Sequence, residues 1–562
     1  MTTHPITGAA PHATPEQAVL DSHAWDPGAW APETRRDIAY VRSNSYADLL
    51  HRTAARTPHK LAVVDGDRRV TYAQFDTAVT RCANALLGRG FVPGDRLALI
   101  SRNCWEFAVL AYATARVGLV LVPVNFMLTA AEVAYILDHS GARGVVAGSE
   151  FIATADTAID GADIADPLRI EIVATNATPT VGWRDIAELW SVGDTSAPDI
   201  HVDDDDPIRL MYTSGTESRP KGVMLSSKSL ISQYVSCIVD GGMSGDDVEV
   251  HALPMYHCAQ LDCFFSTDVY LGATSIILPG PDPATLLATI ETERVTKLFC
   301  PPTVWIALLR HPDFDTRDLS SLRKGYYGAA AMPIEVLREL AQRLPEVALW
   351  NFYGQTEMSP LATILRPHEQ LSRAGSAGLA ALNVETRIVD DQGDPVPVGQ
   401  VGEIVHRSPH ATLGYFRDET KTASAFAGGW FHSGDLGVLD AEGYLSVVDR
   451  KKDMIKTGGE NVASREVEEA LYELDGVAEV AVFGVPHDYW MEAVTAVVVP
   501  KDGTHLTADD VHAFTAERLA GYKRPKFVVI AGGLPKNPSG KILKRSLRET
   551  YSTIAQETTE HS

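Results

Sequence analysis

The stretch Tyr212-Thr-Ser-Gly-Thr-Glu-Ser-Arg-Pro-Lys-Gly222 carries the strongest local signal in this chain. It follows the apolar run 208–211, which predicts a buried strand, so hydroxylated residues and glycines emerge at a strand end. Glycine lets backbone N–H groups approach an anion closely, hydroxyl groups add donors, and Lys221 adds a positive charge. The spacing is not that of a Walker motif, because Pro220 stands where the second glycine would be. The stretch predicts a phosphate-binding loop, and a plain turn with one exposed lysine is the simpler alternative.

Strands and helices are predicted to alternate on both sides of this stretch. Apolar runs typical of buried strands occur at Leu97–Ile100, Leu119–Val124, Gly144–Ala147, Glu249–Leu253, Thr274–Leu278, Lys297–Cys300 and Ala348–Trp350. Helical patterns at Trp105–Val117 and Ala130–His139 separate the first three runs. This alternation predicts a parallel sheet covered on both faces, followed by a second α/β sheet.

The pattern changes in the last third of the chain. Between Gly375 and Val448 the segments become short and are punctuated by Gly, Pro and Asp, which predicts a small β barrel or a curled sheet. A compact α+β module is predicted after Asp453. Its helices are expected at Ser464–Leu474 and Ala508–Leu519, and its strands at Val480–Phe483, Ala493–Val499 and Phe527–Ile530.

Length and composition limit the classes of protein that the chain can form. At 562 residues it exceeds the ~100 to 200 residues of an ordinary domain, so at least two domains are expected. Its net charge of -24 opposes nonspecific binding to nucleic acid or to an anionic membrane. No run reaches the ~20 apolar residues of a membrane helix, and the N-terminus lacks the apolar core of a signal peptide. The six cysteines lack the paired spacing of a metal site or a disulfide framework, so we expect a cytoplasmic protein with reduced thiols.

Further motifs follow the loop in a fixed order. They are Asn351-Phe-Tyr-Gly-Gln-Thr-Glu357, Trp430-Phe-His-Ser-Gly-Asp-Leu-Gly437, Asp449-Arg-Lys-Lys-Asp453 with Lys456-Thr-Gly-Gly-Glu460, and Pro538-Ser-Gly-Lys541. Together they resemble the adenylate-forming superfamily of acyl-CoA synthetases, adenylation domains and luciferases, from about Tyr46 to about Arg548. The loop departs from the family at Glu217 and Ser218, where Thr-Gly is usual.

The resemblance supplies each group that activation of a carboxylate by ATP requires. Asp435 would bind the two ribose hydroxyls with its two carboxylate oxygens, and Glu357 would hold Mg²⁺, a hard cation that prefers oxygen ligands. The ATP-binding residues implied are Thr213, Ser214, Gly215, Thr216, Lys221, Tyr353, which would stack on adenine, Asp435 and Arg450. The catalytic residues implied are Lys541, which would bridge carboxylate and α-phosphate, Thr356, which would donate to the α-phosphate, and Lys456.

Other positions are implied for the acid, the thiol and the movement between domains. The acyl pocket would contain His257, Tyr327, Gly328 and Ala329, the thiol tunnel would contain Trp430, Gly458 and Gly459, and Lys452 would be the hinge. Three of the residues named so far have a simpler alternative. His257 could cap the preceding strand, Trp430 could pack in the core, and Asp435 could lie in a turn.

The fold expected from these patterns is α/β. A large N-terminal domain of two α/β sheets plus a small β barrel would precede a smaller, mobile α+β C-terminal domain. We expect an N-terminal arm at 1–44, an adenylation domain at 45–450, a hinge at 451–453 and a C-terminal lid domain at 454–562.

The activity implied is ATP-dependent conversion of a carboxylic acid to acyl-AMP and pyrophosphate, followed by transfer to coenzyme A. The cofactors would be ATP, Mg²⁺ and coenzyme A, and the partner a small carboxylic acid. Coenzyme A is the preferred acceptor because no carrier domain follows residue 548. A carrier-protein thiol and a non-thiol acceptor, including nitrite activation, stay open. So does a homodimer, since the sequence does not fix the oligomeric state.

A medium- or long-chain fatty acid is the expected substrate. The small side chains of 328–331 would leave room for a deep channel, and each buried CH₂ would add about 0.8 kcal/mol. An aryl or amino-aryl acid is the alternative, because Tyr256, Tyr326 and Tyr327 could close the same space into a flat pocket. In that case Asp262 could bind an amino or hydroxyl substituent, unless it is a solvated loop carboxylate.

Two other classes of protein have weaker support. Ser218–Lys221 and Lys456–Gly458 match SxxK and KTG strings of penicillin-binding enzymes, but the SDN element is absent and Pro220 disfavours the helix that carries the SxxK lysine. A non-enzymatic acidic binding module would not explain a lysine in both catalytic motifs.

Overall fold

The computed structural model describes residues 30–173, 177–191, 193–213, 219–330, 332–501, 503–536 and 542–555. The chain divides into two compact units, Met1–Asn44 and Ser45–Ser562. In the described part of the first unit, Pro32–Arg42 is a helix. Across the described ranges, no helix combines the length and apolar character needed to cross a membrane.

A seven-stranded sheet in the second unit carries the strand that leads into the phosphate loop. Its strands are, in spatial order, Arg184–Asp185, Leu168–Ile172, Gly144–Gly148, Arg96–Ile100, Val120–Val124, Pro207–Thr213 and Lys221–Ser226. All neighbours are parallel except the last pair, which is antiparallel. The helices between and before these strands are Tyr46–Arg56, Tyr72–Gly88, Trp105–Arg116, Ala130–Ser140 and Ile152–Asp160, and Ser227–Gly241 follows the last strand. Two of the strands are buried along their whole length, as a sheet covered on both faces requires.

A nine-stranded sheet forms the second α/β layer. In spatial order its strands are Leu379–Ala380, Thr363–Leu365, Ala348–Tyr353, Lys324–Gly328, Lys297–Phe299, Val248–His251, Thr274–Ile277, Leu61–Asp65 and Arg68–Thr71. The helices of this region are Ser266–Leu271, Pro283–Thr292, Pro302–Arg310 and Ile334–Arg343, and Ala259–Phe265 is a π-helical segment. The central strands are parallel, so their C-terminal ends open at one edge, where ligands of α/β proteins usually bind.

Two smaller sheets complete the second unit. The strands Glu385–Val389, Gly402–Arg407, Phe431–Leu439 and Leu445–Arg450 pair in one antiparallel row, so the expected small barrel is a four-stranded sheet within the described residues. The helix Glu419–Ala425 lies in this region. The C-terminal sheet contains Glu460–Val462, Ile455–Thr457, Met491–Pro500, Val477–His487 and Phe527–Ile530, with the helices Ser464–Tyr472, Ala508–Arg518 and Lys544–Thr550.

The predicted elements are present, and their bounds differ most where strands are long. The strand predicted at Ala348–Trp350 continues to Tyr353, and the one predicted at Val480–Phe483 is the eleven-residue strand Val477–His487. Both extensions include polar or aromatic residues that pair with a neighbouring strand. An apolar run alone therefore underestimates strand length, because pairing with the neighbouring strand continues beyond the apolar run.

Candidate active site

The structure describes the residues on both sides of the predicted phosphate loop, up to Thr213 and from Arg219. Thr213 pairs with Lys221 at the open end of the antiparallel strands, so the structure brings these two predicted ATP-binding residues together. Ser214, Gly215 and Thr216 of the loop lie outside the described residues, and so does the predicted catalytic residue Lys541.

Tyr415 connects the predicted metal ligand to the phosphate-loop lysine. Its hydroxyl donates to Oε1 of Glu357 at 3.0 Å, and the Lys221 ammonium lies 5.0 Å from the centre of its ring. Burial, and then the charge of Glu357, raise the pKa of Tyr415, so the hydroxyl remains a hydrogen-bond donor. Glu357 is half-buried and keeps further lone pairs, so it is the kind of carboxylate that suits Mg²⁺ beside phosphate oxygens.

The predicted nucleoside residues also meet. The Tyr353 hydroxyl donates to Oδ2 of Asp435 at 2.7 Å, and Nε of Arg450 lies 3.5 Å from Oδ1 of the same carboxylate. Asp435 lies within a strand and pairs with Arg450 across the sheet, so the alternative of a simple turn is wrong. Burial raises the pKa of Tyr353, which keeps its hydroxyl protonated.

Thr356 is held next to the segment that carries His257. The Thr356 hydroxyl lies 3.2 Å from the sulfur of Cys258, which is buried. The backbone N–H of Ala259 donates to Nδ1 of His257 at 3.2 Å, so the neutral imidazole has its proton on Nε2. The structure thus brings the predicted acid-binding and catalytic residues together through a thiol that the sequence did not single out.

Buried amides fix this segment from two sides. The side-chain amide of Asn103 donates to the Leu253 carbonyl and accepts from the Met255 N–H, each at 2.7 Å. Gln260 accepts from the Leu253 N–H at 3.2 Å and contacts Nδ1 of His251 at 2.6 Å. Because these partners come from both α/β sheets and the π-helical segment, the position of the 253–258 segment depends on the assembled fold.

A buried cluster of charged residues lies behind this segment. The Lys297 ammonium is 2.8 Å from Oε2 of Glu249 and forms a second, shorter contact with Asp268. His251 lies 3.4 Å from Asp268, and all four side chains are fully buried. Glu249, His251 and Asp268 have the spacing of metal ligands, but the ammonium of Lys297 already supplies the positive charge between the two carboxylates. The cluster is therefore structural.

A core cluster of aromatic rings includes Tyr326, which lies in the strand that ends at the predicted acyl-pocket residue Gly328. Phe264 stacks on Phe299 with 4.1 Å between ring centres and 12° between planes, and it also packs against Phe352. Tyr326 stacks on Trp350 and donates to the Gly241 carbonyl. Each of these rings is at most 9% exposed, so little space is left behind the ends of these strands.

The expected small-residue channel differs from the structure. A Cβ atom on Gly328 would lie 2.5 Å from the Phe352 carbonyl oxygen, so this glycine permits close approach of two strands and does not line a cavity. Ala329 and Ala330 are exposed at the strand end. Tyr327 packs in a different core cluster from Tyr326 and donates to Gln370, so we leave it out of the acyl pocket.

The alternative of a solvated loop carboxylate at Asp262 is wrong. Its side chain is fully buried and forms an ion pair at 3.6 Å with Arg209, which is also fully buried. The Arg209 guanidinium lies 4.5 Å from the ring centre of Tyr46. The pair joins the strand that leads into the phosphate loop to the π-helical segment Ala259–Phe265.

The predicted thiol-tunnel residues lie in two places. Gly458 and Gly459 form a tight turn with φ angles of +60° and +87°, which favour glycine, and the Gly458 N–H donates to the Trp490 carbonyl. Lys456 is exposed in the strand Ile455–Thr457, which leads into this turn. Trp430 is half-buried, with the guanidinium groups of Arg387 and Arg407 at 4.3 and 4.8 Å from its ring centre.

The predicted hinge residue lies in a turn between the four-stranded and C-terminal sheets. Lys452 belongs to the turn at 451–453, where the Asp453 N–H donates to the Arg450 carbonyl. Arg548 forms an ion pair with Asp453 at 2.8 Å, and Ser464 donates to Asp449 through its N–H and its hydroxyl. Polar contacts therefore hold the chain both before the turn, at Asp449, and at its end, at Asp453.

A cavity of about 420 Å³ opens next to the segment 253–258, which leads to the predicted acid-binding residue His257. Its lining comes from residues that follow strands of both α/β sheets: Arg102, Phe126, Met127, Phe151, Ala252, Pro254, Pro279, Gly280 and Pro281. The Arg102 guanidinium lies 4.9 Å from the ring centre of Phe126, and Tyr256 packs edge-on against the same ring. Among the described residues that line the cavity, Arg102 is the charged one, and its Nε also lies 3.6 Å from a carboxylate oxygen of Glu150.

Sequence reasoning missed Tyr415, Cys258 and Asn103. None of them belongs to a motif that the spacing marks, and their partners lie far away along the chain. Only the long-range contact of each side chain identifies it, so no local signal could have found it.

Comparison with known proteins agrees with this geometry. Residues 50–416 match the family described as AMP-binding enzyme, and residues 466–541 match the AMP-binding enzyme C-terminal domain. The chain is 37% identical to a feruloyl-CoA synthase from Amycolatopsis sp., with 89% of this chain and 98% of that protein covered. It is 35% identical to the long-chain-fatty-acid–CoA ligase FadD13 of Mycobacterium tuberculosis (strain ATCC 25618 / H37Rv), with 90% of this chain and 98% of that protein covered. A solved structure of the anthranilate CoA ligase AuaEII with anthranoyl-AMP has a TM-score of 0.83 and 27% identity, covering 91% and 98%.

Proposed function

The chain belongs to the AMP-binding enzyme family and is an AMP-forming acid–CoA ligase, and from this premise we propose that its acid is a compact, ring-bearing carboxylic acid. The enzyme uses ATP to convert the acid to an acyl-adenylate with release of pyrophosphate, and it then transfers the acyl group to coenzyme A. The observation that supports a compact acid is the stack of Phe264, Phe299 and Phe352, which fills the space where a long channel would run.

The site residues divide between the two half-reactions in this proposal. Asp435 and Arg450 bind the ribose, Tyr353 positions Asp435, and Lys221 attracts the terminal phosphates. Thr356 donates to the α-phosphate. By the family resemblance Lys541, outside the described residues, stabilises the negative charge that grows there as the carboxylate attacks.

The metal site and the domain movement are part of the same proposal. Glu357, oriented by Tyr415, holds Mg²⁺, which neutralises phosphate charge when bound. Rotation at 451–453 exchanges Lys541 for the turn from Lys456 to Glu460, whose glycines line the path of the thiol. Trp430 borders that path.

The cavity next to Tyr256 is the proposed site for the nucleotide part of coenzyme A. An adenine ring and a phosphate group need an aromatic wall and a cation, which Phe126 and Arg102 provide. Tyr256 connects the wall to His257, so a thiol arm that leaves the cavity along this side reaches the acid-binding segment.

The acid class is tested by comparing kcat/KM for benzoate, 2-aminobenzoate, cinnamate, octanoate and palmitate, with pyrophosphate release and CoA consumption measured separately. We expect the best aromatic acid to exceed both fatty acids by at least about tenfold, since roughly 1.4 kcal/mol of differential binding suffices. A preference for palmitate would overturn the acid class and leave adenylation intact.

A fatty acid is the second candidate, and the similarity to FadD13 supports it. In that case the Phe264–Phe299 pair must separate to admit the chain. We also propose a cytoplasmic location, where ATP and coenzyme A are available. The homodimer remains a hypothesis, which light scattering after size exclusion would test.

A further inference from the structure

Two side chains at the edge of the acid site have buried polar atoms without a partner. Both amide atoms of Gln355 and the hydroxyl of Thr303 are enclosed, and no other described residue forms a hydrogen bond with them. An enclosed amide or hydroxyl without a partner costs about 1–3 kcal/mol, so native proteins rarely keep one unless a ligand or a water molecule satisfies it.

The two residues follow strands that lie on either side of a third strand in the nine-stranded sheet. Gln355 follows the strand Ala348–Tyr353, and Thr303 lies in the first turn of the helix Pro302–Arg310, which follows the strand Lys297–Phe299. The strand Lys324–Gly328 lies between them and is parallel to both. Since neighbouring strands lie about 4.8 Å apart, the three C-terminal ends fall within roughly 10 Å of one another.

The middle strand carries two hydroxyl groups, and both are engaged elsewhere: Tyr326 donates to the Gly241 carbonyl and Tyr327 donates to Gln370. It ends in Gly328, followed by the exposed Ala329 and Ala330. On one side, Gln355 is adjacent to Thr356, whose hydroxyl touches Cys258 next to His257. On the other side, Thr303 precedes Val304, which packs against the core cluster that contains Phe264 and Phe299.

We infer that Gln355 and Thr303 recognise a hydroxyl substituent on the acid. The inference rests on the proposed function, because it assigns a specificity to the proposed acid site. A carboxamide offers an acceptor oxygen and two donor hydrogens, and the Thr303 hydroxyl can donate and accept. A hydroxyl group, which also does both, can satisfy the two residues together, whereas an unsubstituted hydrocarbon leaves them unpaired.

The test compares cinnamate with its 2-, 3- and 4-hydroxy derivatives in wild type, Gln355→Leu and Thr303→Val. Both substitutions nearly keep side-chain volume and remove the hydrogen-bonding atoms. We expect at least one hydroxycinnamate to exceed cinnamate about 10- to 100-fold in kcat/KM in wild type, because a site built to bind a hydroxyl rejects the analogue that lacks it. In either variant this ratio should fall to about 3 or less, because the substitution costs the hydroxycinnamate more kcat/KM than it costs cinnamate.

The ratio of the two acids within one protein cancels any general loss of activity or of folded protein that a substitution causes. If Gln355→Leu loses activity with every acid, the ratio in Thr303→Val decides. A wild-type ratio near 1, or an unchanged ratio in both variants, would overturn the inference and leave the ring-bearing acid class in place. Absence of pyrophosphate release with every ring-bearing acid would instead contradict the proposed function.

Discussion

The hydroxyl of Tyr353 donates to Oδ2 of Asp435 across 2.7 Å, joining two motifs that are 82 residues apart in the chain. One carboxylate oxygen of Asp435 is thereby fixed, and Arg450 lies near the other. The proposed ribose site is thus preorganised by groups from three strands, which would lower the cost of ordering it when ATP binds.

Tyr353→Phe removes only this hydrogen bond. We expect KM for ATP to rise about tenfold, because a hydrogen bond to a charged group contributes roughly 1.5 kcal/mol or more. The measurement is ATP–pyrophosphate exchange at varied ATP. Tyr489→Phe, at a residue that is 78% exposed, is the matched control and should leave KM unchanged. An unchanged KM in Tyr353→Phe would contradict the positioning role.

Tyr415→Phe should raise the Mg²⁺ concentration that gives half-maximal adenylation, by about three- to tenfold. The variant loses the hydrogen bond to Glu357, but it keeps the ring beneath Lys221. Tyr415→Leu removes both contacts, so its KM for ATP should also rise. Equal behaviour of the two variants would argue that the hydroxyl has no role of its own.

Arg102→Ala should raise KM for coenzyme A about tenfold and leave pyrophosphate exchange unchanged, because the cavity serves only the second half-reaction in our proposal. Arg69→Ala, which removes an exposed arginine paired with Glu293, is the control. If Arg102→Ala slows exchange and thioester formation alike, the cavity does not bind the nucleotide of coenzyme A.

Asp262→Asn should destabilise the fold by about 3–5 kcal/mol, because it leaves the buried Arg209 cation uncompensated. The double variant Arg209→Met/Asp262→Leu should recover most of this loss, since apolar residues of similar size can replace a buried pair. Urea unfolding of the three proteins measures the difference. If the double variant loses as much unfolding free energy as Asp262→Asn does, the ion pair itself is needed for stability.

The same carboxyl group should give a pH dependence of a defined sign. Burial raises the pKa of Asp262 from 3.8 to about 6, so between these values the folded protein binds a proton that the unfolded chain has released. The contribution of Asp262 to stability therefore decreases as the pH rises from about 4 to 6. The difference in unfolding free energy between wild type and Asp262→Asn, measured across this range, should change accordingly, and a constant difference would contradict the shift.

Met491→Gly should stabilise the protein by about 1 kcal/mol. Met491 has a φ of +70°, a conformation that costs a residue with a side chain roughly 1–2 kcal/mol more than it costs glycine. The side chain is 66% exposed, so little packing is lost. Thermal unfolding tests this, with Met491→Val as the matched variant that should be less stable than wild type.

The family and the two α/β sheets could be predicted from the sequence, and the proposed ATP-site residues come from the same source. These rest on local signals: apolar runs with a strand or helix period, and motifs whose residues are close neighbours in the chain. Asp435, Arg450 and Glu357 were found in this way, because each belongs to a short motif with a fixed chemical task.

Only the tertiary structure decided the surroundings of those residues. Asp262 is a polar residue in a segment without a helical or strand period, so nothing local indicated that Arg209 would lie beside it in the core. The run of small side chains at 328–331 suggested a channel, but Gly328 lets the backbone of Phe352 approach closely. Contacts of this kind depend on which elements become neighbours when the sheets assemble, and burial then fixes the charge and hydrogen bonding of each side chain, which its place in the chain does not specify.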